Sequence, residues 1–435
     1  MTKYAALPGF RDFYPDEMAR RRQIFHAWRD AAIRFGFDEY DGPPLEALDL
    51  YVDKSGPEIV NQLFNFTDKG GREVALRPEM TPTLVRMLGA RIKGMPRPIR
   101  WFSTPQLFRY EKQQRGRLRE HFQLNMDIIG EESVLADADL LAAALDVLQS
   151  LGLTSDDIVA RYSDRRLLHH ALVELGVREE DLPTAYNVID KVERDPRDIC
   201  LKRLAEIGLA REQAEAALSL TEASDASLHE RFGDSKEVGH VLQELETYRA
   251  ALTAFGFGHW IEFDMKIVRG LAYYTGIVFE IFDRKGTLRA ICGGGRYDKL
   301  FLTLTGMDVP ALGFGFGDVV LGELLKDRGL AAAHKRSVDV CVISDADATE
   351  TALRVAGWLR SSGKSVIFSY KGGDVGKQLK YAAANGAEHA IIVPKEIGAE
   401  SIGITTYRVR DLAGSTQSDL TLTEYLVKYP PEARR

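Results

Sequence analysis

The alternation of apolar and polar residues divides the chain into three kinds of sequence. From the start to about residue 182, and again from 260 to 325, short alternating segments are mixed with helical ones. Between about 183 and 255, charge-dense amphipathic helices follow one another with little strand pattern. Beyond residue 336, strands and helices alternate regularly, as in a mostly parallel sheet covered by helices. The pattern predicts a strand-rich domain with a helical insertion, followed by a smaller α/β domain.

Helices of the first domain are predicted from apolar residues spaced three, four and seven apart. Such spacing runs from Glu17 to Phe35, and Gly36 follows as a C-terminal cap. Another helix is predicted from Ser133, a good N-cap, to Leu151. A third begins near Thr81, a plausible N-cap in front of Pro82.

The segment from Arg109 to Gly130, RYEKQQRGRLREHFQLNMDIIG, predicts a hairpin with one polar side. In its second half, apolar residues share one strand face and polar residues share the other, namely His121, Gln123, Asn125 and Asp127. This is typical of a half-buried strand. In its first half, Arg109 and Glu111 share a face, so pairing would bring a cation and several acceptors together. A solvated surface hairpin alternates in the same way, and the pattern alone leaves both interpretations open.

Three other segments place polar residues beside glycines or at element junctions. Arg77, Glu79 and Thr81 alternate where a strand leads into a helix, although a capped surface helix would also explain them. GGGRYDKL from Gly293 carries Arg296 and Tyr297 after a predicted strand. The glycines of GFGFGD, residues 313 to 318, precede a helix, where they either cradle a phosphate or let the helix pack closely.

The amino-acid composition limits the possible classes of protein but does not identify a function. Apolar residues make up 45% and charged residues 28%, as in soluble globular proteins. We expect no secretory leader, membrane span, disulfide framework or zinc site, because the N-terminus lacks the leader pattern and the three cysteines are widely spaced. The net charge of -7 argues against indiscriminate nucleic-acid binding. From residue 335 onward, 14 Lys and Arg face 12 Asp and Glu, a charge of +2, so the preceding residues carry -9.

Four motifs, in order, resemble the ligand-binding motifs of the histidyl-tRNA synthetase family of class II aminoacyl-tRNA synthetases. They are RPEMT from 77, FRYEKQQRGRLREHFQ from 108, IVRGLAYYTGIVFE from 267 and GGGRYDKL from 293. The resemblance runs nearly end to end. It implies an α+β fold with a six-stranded antiparallel catalytic sheet flanked by helices over residues 1–325, with the insertion at about 183–255. A linker at 326–336 and an α/β anticodon-binding domain at 337–435 would follow.

The resemblance also implies a reaction and its partners. Such an enzyme activates L-histidine with ATP, releasing pyrophosphate, and transfers histidine from the adenylate to the 3′ end of tRNA(His). Magnesium would arrive with ATP and not at a protein-fixed site. We expect a cytoplasmic homodimer, joined partly through the first class-defining motif near Pro44.

Individual roles are implied in the same way. Arg109 and Arg269 would be catalytic at the α-phosphate. ATP would meet Arg109, Glu111, Arg117 and Arg119. Histidine would meet Glu79, Thr81, Gln123, Asp127, Arg269, Tyr273, Tyr274 and Tyr297. The acceptor end of tRNA would meet Gln113, Gln114 and Arg115.

The chain departs from the commoner family pattern at three places. Asp127 replaces a Glu at the imidazole position, and Ala272 replaces an Asp. In the third motif, Val319 and Val320 stand where Glu and an ATP-binding Arg are expected. We therefore predict that another cation, Arg289 or Arg296, takes over the lost contact.

The missing arginine also favours a rival from another class of protein. The regulatory subunit of ATP phosphoribosyltransferase resembles the same catalytic domain and senses histidine without joining it to tRNA. The retained Arg109, Glu111 and Arg269, together with the complete-looking α/β segment at residues 337 to 429, oppose this alternative.

Overall fold

The structure, a computed structural model, describes residues 4–110, 112, 114, 116–192, 195–267, 274–286, 288–334, 338–344, 346–394, 401–414 and 416–431. The chain divides into two compact units, Met1–Ala332 and Ala333–Arg435. The division falls inside the predicted linker, although the last helix of the first unit continues to Asp327.

The first unit contains twelve α-helices within the described residues. They are α1 Pro15–Arg34, α2 Asp49–Ser55, α3 Thr81–Gly89, α4 Val134–Ser150, α5 Arg165–Glu174, α6 Leu182–Asp190, α7 Arg197–Glu206, α8 Arg211–Ser219, α9 Asp225–Phe232, α10 Lys236–Ala254, α11 Lys299–Thr305 and α12 Asp318–Asp327. The run from α6 to α10 covers the residues predicted to form a helical insertion.

Twelve strands of the first unit accompany these helices in the described part of the chain. They are β1 Asp38–Glu39, β2 Leu45–Ala47, β3 Asn65–Thr67, β4 Glu73–Leu76, β5 Ile99–Ser103, β6 Gln106–Phe108, β7 Glu120–Ile129, β8 Ile158–Asp164, β9 Ile261–Phe263, β10 Ile277–Asp283, β11 Cys292–Arg296 and β12 Ala311–Gly317.

The main sheet has the strand order β1-β5-β7-β12-β11-β10-β8-β9. The six strands from β5 to β8 in this order pair antiparallel with their neighbours, which confirms the expected catalytic sheet. The outermost strands, β1 and β9, pair parallel. Strand β6 pairs with the start of β7 and forms a hairpin, but it ends at Phe108, so Arg109 lies just beyond the strand in which it was predicted. A separate small sheet has the order β2-β4-β3.

One apolar core lies under the main sheet. Strand β7 contributes Leu124, Met126 and Ile128 to it, while α1 contributes the fully buried Trp28. Helix α4 is rich in small buried residues, and the side chain of Ser133 accepts a hydrogen bond from the Leu135 amide at its start. The insertion helices share this core, so the insertion is packed as part of the catalytic unit.

Two local predictions were wrong. Strand β7 is not half-buried, because its polar residues Asn125 and Asp127 are also buried, facing away from the apolar core. Helix α3 begins at Thr81, so Met80 and not Thr81 occupies the N-cap, and no side chain caps the helix there. Tertiary packing on both faces of the sheet overrode the local pattern in the first case.

The second unit follows the predicted β-α-β-α-β series. It contains β13 Val338–Ser344, α13 Thr349–Ser361, β14 Val366–Phe368, α14 Val375–Ala384, β15 Ala387–Val393, β16 Thr406–Asp411, β17 Gln417–Thr421 and α15 Leu422–Lys428. Strands β14, β13 and β15 are parallel, and β16 and β17 extend the sheet antiparallel, which the sequence pattern did not predict. Among the helices of both units, none in the described residues is long and apolar enough to cross a membrane.

Candidate active site

A cavity of about 970 Å³ opens on the polar side of β7. Residues of β12, the neighbour of β7, and of β11, the next strand, also line this cavity. Eight residues predicted to bind ligands line it together. They are Glu79, Thr81, Arg109, Arg117, Gln123, Asp127, Tyr274 and Tyr297. The surface-hairpin interpretation is therefore wrong, because the polar face of the hairpin is the floor of this cavity.

Asp127 lies at the buried end of this cavity and is 3% exposed. The hydroxyl of Tyr297, which is 1% exposed, donates a hydrogen bond to its Oδ1. Burial raises the pKa of Asp127 to about 7, although the Tyr297 hydrogen bond works in the opposite direction. A buried carboxyl with a neighbouring hydroxyl is suited to recognising a polar nitrogen heterocycle.

The glycines at 313 and 315 belong to strand β12 and not to a loop. Gly313 stands opposite Asp127, and a Cβ at this position would overlap Oδ1 of Asp127. A Cβ on Gly315 would likewise overlap Nε2 of Gln123. These glycines therefore clear one face of the strand for two polar side chains, while Phe314 packs into the core on the other.

The cavity also brings several hydrogen-bonding groups together. The carboxylate of Glu79 and the side chain of Thr81 line it beside Gln123, whose Oε1 is buried without a hydrogen-bond partner among the described residues. Lys54 forms an ion pair with Glu79. Burial raises the pKa of Glu79, but the charge and hydrogen bond of Lys54 and the charge of Arg109 outweigh it, so the pKa is lowered overall.

Arg109 connects these groups to the hairpin loop. Its Nε donates a hydrogen bond to the carbonyl of Pro78 at 3.0 Å, which ties the hairpin to the segment before α3. His121 lies on the same cavity wall, and burial together with the charge of Arg109 lowers its pKa to about 3. His121 is therefore neutral near pH 7 and adds no charge to the site.

Two predicted residues lie outside the cavity lining. The guanidinium of Arg119, expected at ATP, stacks 4.4 Å from the ring centre of Tyr110, and its backbone amide bonds to Gly9. Gln114, expected at the tRNA end, is exposed and pairs with Arg117 through the backbone in the hairpin turn. The remaining predicted residues, Glu111, Gln113, Arg115, Arg269 and Tyr273, lie outside the described residues.

Val319 and Val320 line the cavity at the start of α12, where the third motif places them. Of the two cations expected to compensate, Arg296 is the wrong one. Arg296 is 8% exposed, forms an ion pair with Asp137, and donates to the carbonyl of Glu131 at 2.8 Å. Arg289, by contrast, lines the cavity.

Sequence reasoning missed several lining residues, including Lys54, Glu280 and Lys299. Lys54 lies on α2, outside every motif that carries the resemblance, so no local pattern distinguishes it from an ordinary surface lysine. Glu280 lies in β10, where Ile277, Phe279 and Ile281 alternate on the opposite face. Its own face also carries Val278 and Phe282, so no polar pattern in the sequence marks Glu280 as a site residue.

Comparisons with known proteins point to one family. The family profile of histidyl-tRNA synthetases matches residues 9–317. The histidine--tRNA ligase of Opitutus terrae is 43% identical over 97% of this chain and 96% of its own length. The crystal structure of histidyl-tRNA synthetase from Nostoc sp. PCC 7120 superimposes with a TM-score of 0.79 at 22% identity, covering 98% of this chain and all of that one.

A further solved structure bears on the rival interpretation. It is described as an ATP phosphoribosyltransferase regulatory subunit/histidyl-tRNA synthetase from Bacillus halodurans C, with a TM-score of 0.75 at 20% identity over 91% of this chain and all of that one. At such identity the likeness shows the fold alone, so the fold does not separate the two functions.

The antiparallel sheet with this cavity on it has the fold of the catalytic unit of class II aminoacyl-tRNA synthetases. The profile match and the full-length identity then decide the family. The chain belongs to the histidyl-tRNA synthetase family.

Proposed function

We propose that this chain is a histidine–tRNA ligase and that the cavity described above carries out both steps of the reaction. The observation that carries the proposal is the buried Asp127–Tyr297 pair in the same cavity as Arg109. A buried acid and hydroxyl select the imidazole, while the arginine attracts a phosphate. Full-length similarity to named histidine--tRNA ligases supports the same assignment.

Histidine binds at the buried end. Its imidazole N–H donates to Asp127, and the hydroxyl of Tyr274 donates to the other ring nitrogen. Its ammonium donates to Glu79, Thr81 and the unsatisfied Oε1 of Gln123. Asp127 is one methylene shorter than the usual Glu. The glycine at 313 leaves the space that the Asp127 carboxylate occupies beside Tyr297.

ATP binds toward the hairpin loop. Arg109 contacts the α-phosphate, and a carboxylate oxygen of histidine attacks that phosphorus while the bond to the bridging oxygen breaks and pyrophosphate leaves. In the second step, a hydroxyl of the terminal tRNA ribose attacks the histidyl carbonyl, and AMP leaves. By resemblance, Arg269 stabilises charge at the α-phosphate and Glu111 helps to hold the nucleotide.

Magnesium accompanies ATP. The described residues contain no group of three or more His, Cys, Asp or Glu side chains arranged to hold a metal ion. Glu280 lines the cavity and offers the oxygen ligand that magnesium prefers, so it is the residue that would share the ion with the phosphates. The bound ion would neutralise part of the charge on the pyrophosphate.

The partners follow from this assignment. The tRNA(His) would place its acceptor end near the hairpin loop, where resemblance assigns Gln113, Gln114 and Arg115, and its anticodon on the α/β unit. A cytoplasmic homodimer is the expected form. Resemblance assigns the dimer interface to the N-terminal helix and the region of Pro44. The exposed apolar side chains of Tyr14, which precedes α1, and Leu45, which follows Pro44, support the expectation of a dimer.

The deciding experiment is ATP–pyrophosphate exchange with each standard amino acid, followed by charging of tRNA(His). Exchange that depends on histidine alone, with charging, is the expected result. The rival regulatory function is favoured by the valine at 320 in place of an arginine. Tight histidine binding without any exchange would select that rival and contradict the proposal.

A further inference from the structure

The charges around the cavity are opposite in sign to the charge of the whole chain. Five cationic side chains line it, namely Lys54, Arg109, Arg117, Arg289 and Lys299. Three carboxylates, Glu79, Asp127 and Glu280, face them. The chain as a whole carries -7. A positive cavity in an acidic protein is suited to a polyanion.

The cations nearest the third motif come from two loops. Arg117 follows Gly116 in the turn of the hairpin, and Gly116 adopts a φ of 74°. A Cβ on Gly116 would lie 3.3 Å from Cγ2 of Val320, so the turn packs directly over the valine. Arg289 lies in the connection between β10 and β11, is exposed, and lines the same cavity.

These arginines are close enough to influence one another. Burial, followed by the charges of Arg289 and Arg109, lowers the pKa of Arg117. Helix α12 also begins at this wall, and Gly317 and Val319 of its N-terminal end line the cavity. Like charges and a helix N-terminus that converge on one cavity are stabilised when a multiply charged anion binds between them.

We propose that Arg289, acting with Arg117, binds the β- and γ-phosphates of ATP and replaces the arginine that the third motif lacks at Val320. The proposal rests on the function proposed above. The hairpin turn packs against Val320 in the third motif. The cation comes instead from the β10–β11 connection, which carries Arg289. Arg296 is not available for this role because Asp137 neutralises it in the core.

The proposed site recognises the β- and γ-phosphates of ATP and not the α-phosphate. AMP lacks the β- and γ-phosphates, so it would not reach Arg289. The test is therefore calorimetric binding of Mg–ATP and of AMP, without histidine, to the full chain. Arg289→Ala should weaken ATP binding about 10- to 100-fold, whereas AMP binding should change by less than about twofold. Arg289→Lys should restore part of the loss, because a point charge replaces the planar fork.

Arg284→Ala is the matched control. Arg284 lies in the same β10–β11 connection but forms an ion pair with Glu262 and does not line the cavity. The Arg284→Ala substitution removes the same charge as Arg289→Ala. It should leave the affinities for Mg–ATP and for AMP within about twofold of the wild-type values. Thermal unfolding of each variant checks that the fold is retained.

The outcomes separate this inference from the proposed function. If the wild-type chain shows no histidine-dependent exchange, the proposed function fails. If the wild type is active but Arg289→Ala binds ATP as well as Arg284→Ala does, or loses ATP and AMP affinity equally, only the role of Arg289 is overturned.

Discussion

The two ends of the active-site cavity are built in different ways. At the histidine end, Asp127 lies within strand β7 and Tyr297 directly follows β11, and both are buried. At the phosphate end, Arg117 and Arg289 lie in loops and are partly or largely exposed. The first end depends on strand register, and the second depends on how two loops approach each other.

This difference matches the ligands that the two ends are proposed to bind. A small amino acid must be distinguished by hydrogen bonds to fixed, desolvated partners, because an unsatisfied buried polar group is costly. A triphosphate carries enough charge to be held by exposed arginines at longer range. Substitution of strand residues should therefore change the KM for histidine, and changes in salt concentration should change the KM for ATP.

The largest expected effect comes from Gly313→Ala. The added methyl group would overlap Asp127, so that side chain must move away from the imidazole position. We expect the KM for histidine in pyrophosphate exchange to rise about 10- to 100-fold, with a much smaller change in the KM for ATP.

Gly317→Ala is the control from the same strand, because a Cβ there meets nothing within 4 Å. It should leave the KM for histidine within about twofold. An equal effect of both alanines would mean that strand flexibility, and not space for Asp127, is what the glycine provides.

The next effect concerns stability and pH. The pKa of Asp127 is raised from 3.8 to about 7, so the folded protein holds this proton more tightly than the unfolded chain. Its stabilising contribution is complete below pH 3.8 and is lost as the pH rises through about 7.

Between about pH 5.5 and about pH 6.5, the loss should be roughly 1 kcal/mol of unfolding free energy. Asp127→Asn cannot titrate and should lack this component, while Asp137 and His121 titrate in both proteins. Urea unfolding at the two pH values measures the difference. Parallel pH dependence of both proteins would show that Asp127 does not titrate in this range.

The smallest effect tests the phosphate end through salt. Raising KCl from about 50 to about 500 mM, at constant magnesium, should raise the KM for ATP about two- to fivefold, because exposed charges are screened. The KM for histidine should change less, because its partners are buried. Steady-state exchange kinetics measure both. A larger effect on histidine would contradict the division between the two ends.

The sequence by itself determined much of the local structure and the family. The periodicity of residues 17–35 and 133–151, the alternation of the hairpin and the β-α series after residue 336 all reflect local preferences, and the structure contains the corresponding elements. Four ordered motifs indicated the family, and seven of the site residues predicted within them line one cavity together with Asp127.

Only the tertiary structure decided which side chains the cavity receives. In the sequence, Arg296 and Arg289 were equally suitable replacements for the missing third-motif arginine. In the structure, Arg296 is paired with Asp137, which lies 159 residues away along the chain. Lys54 joined the site from outside every motif, and the glycines of β12 proved to make space for Asp127 and Gln123. The physical reason is common to all three cases. The partner of a charged side chain, and the use of the space beside a glycine, depend on distant residues that folding brings together, and no local pattern contains these residues.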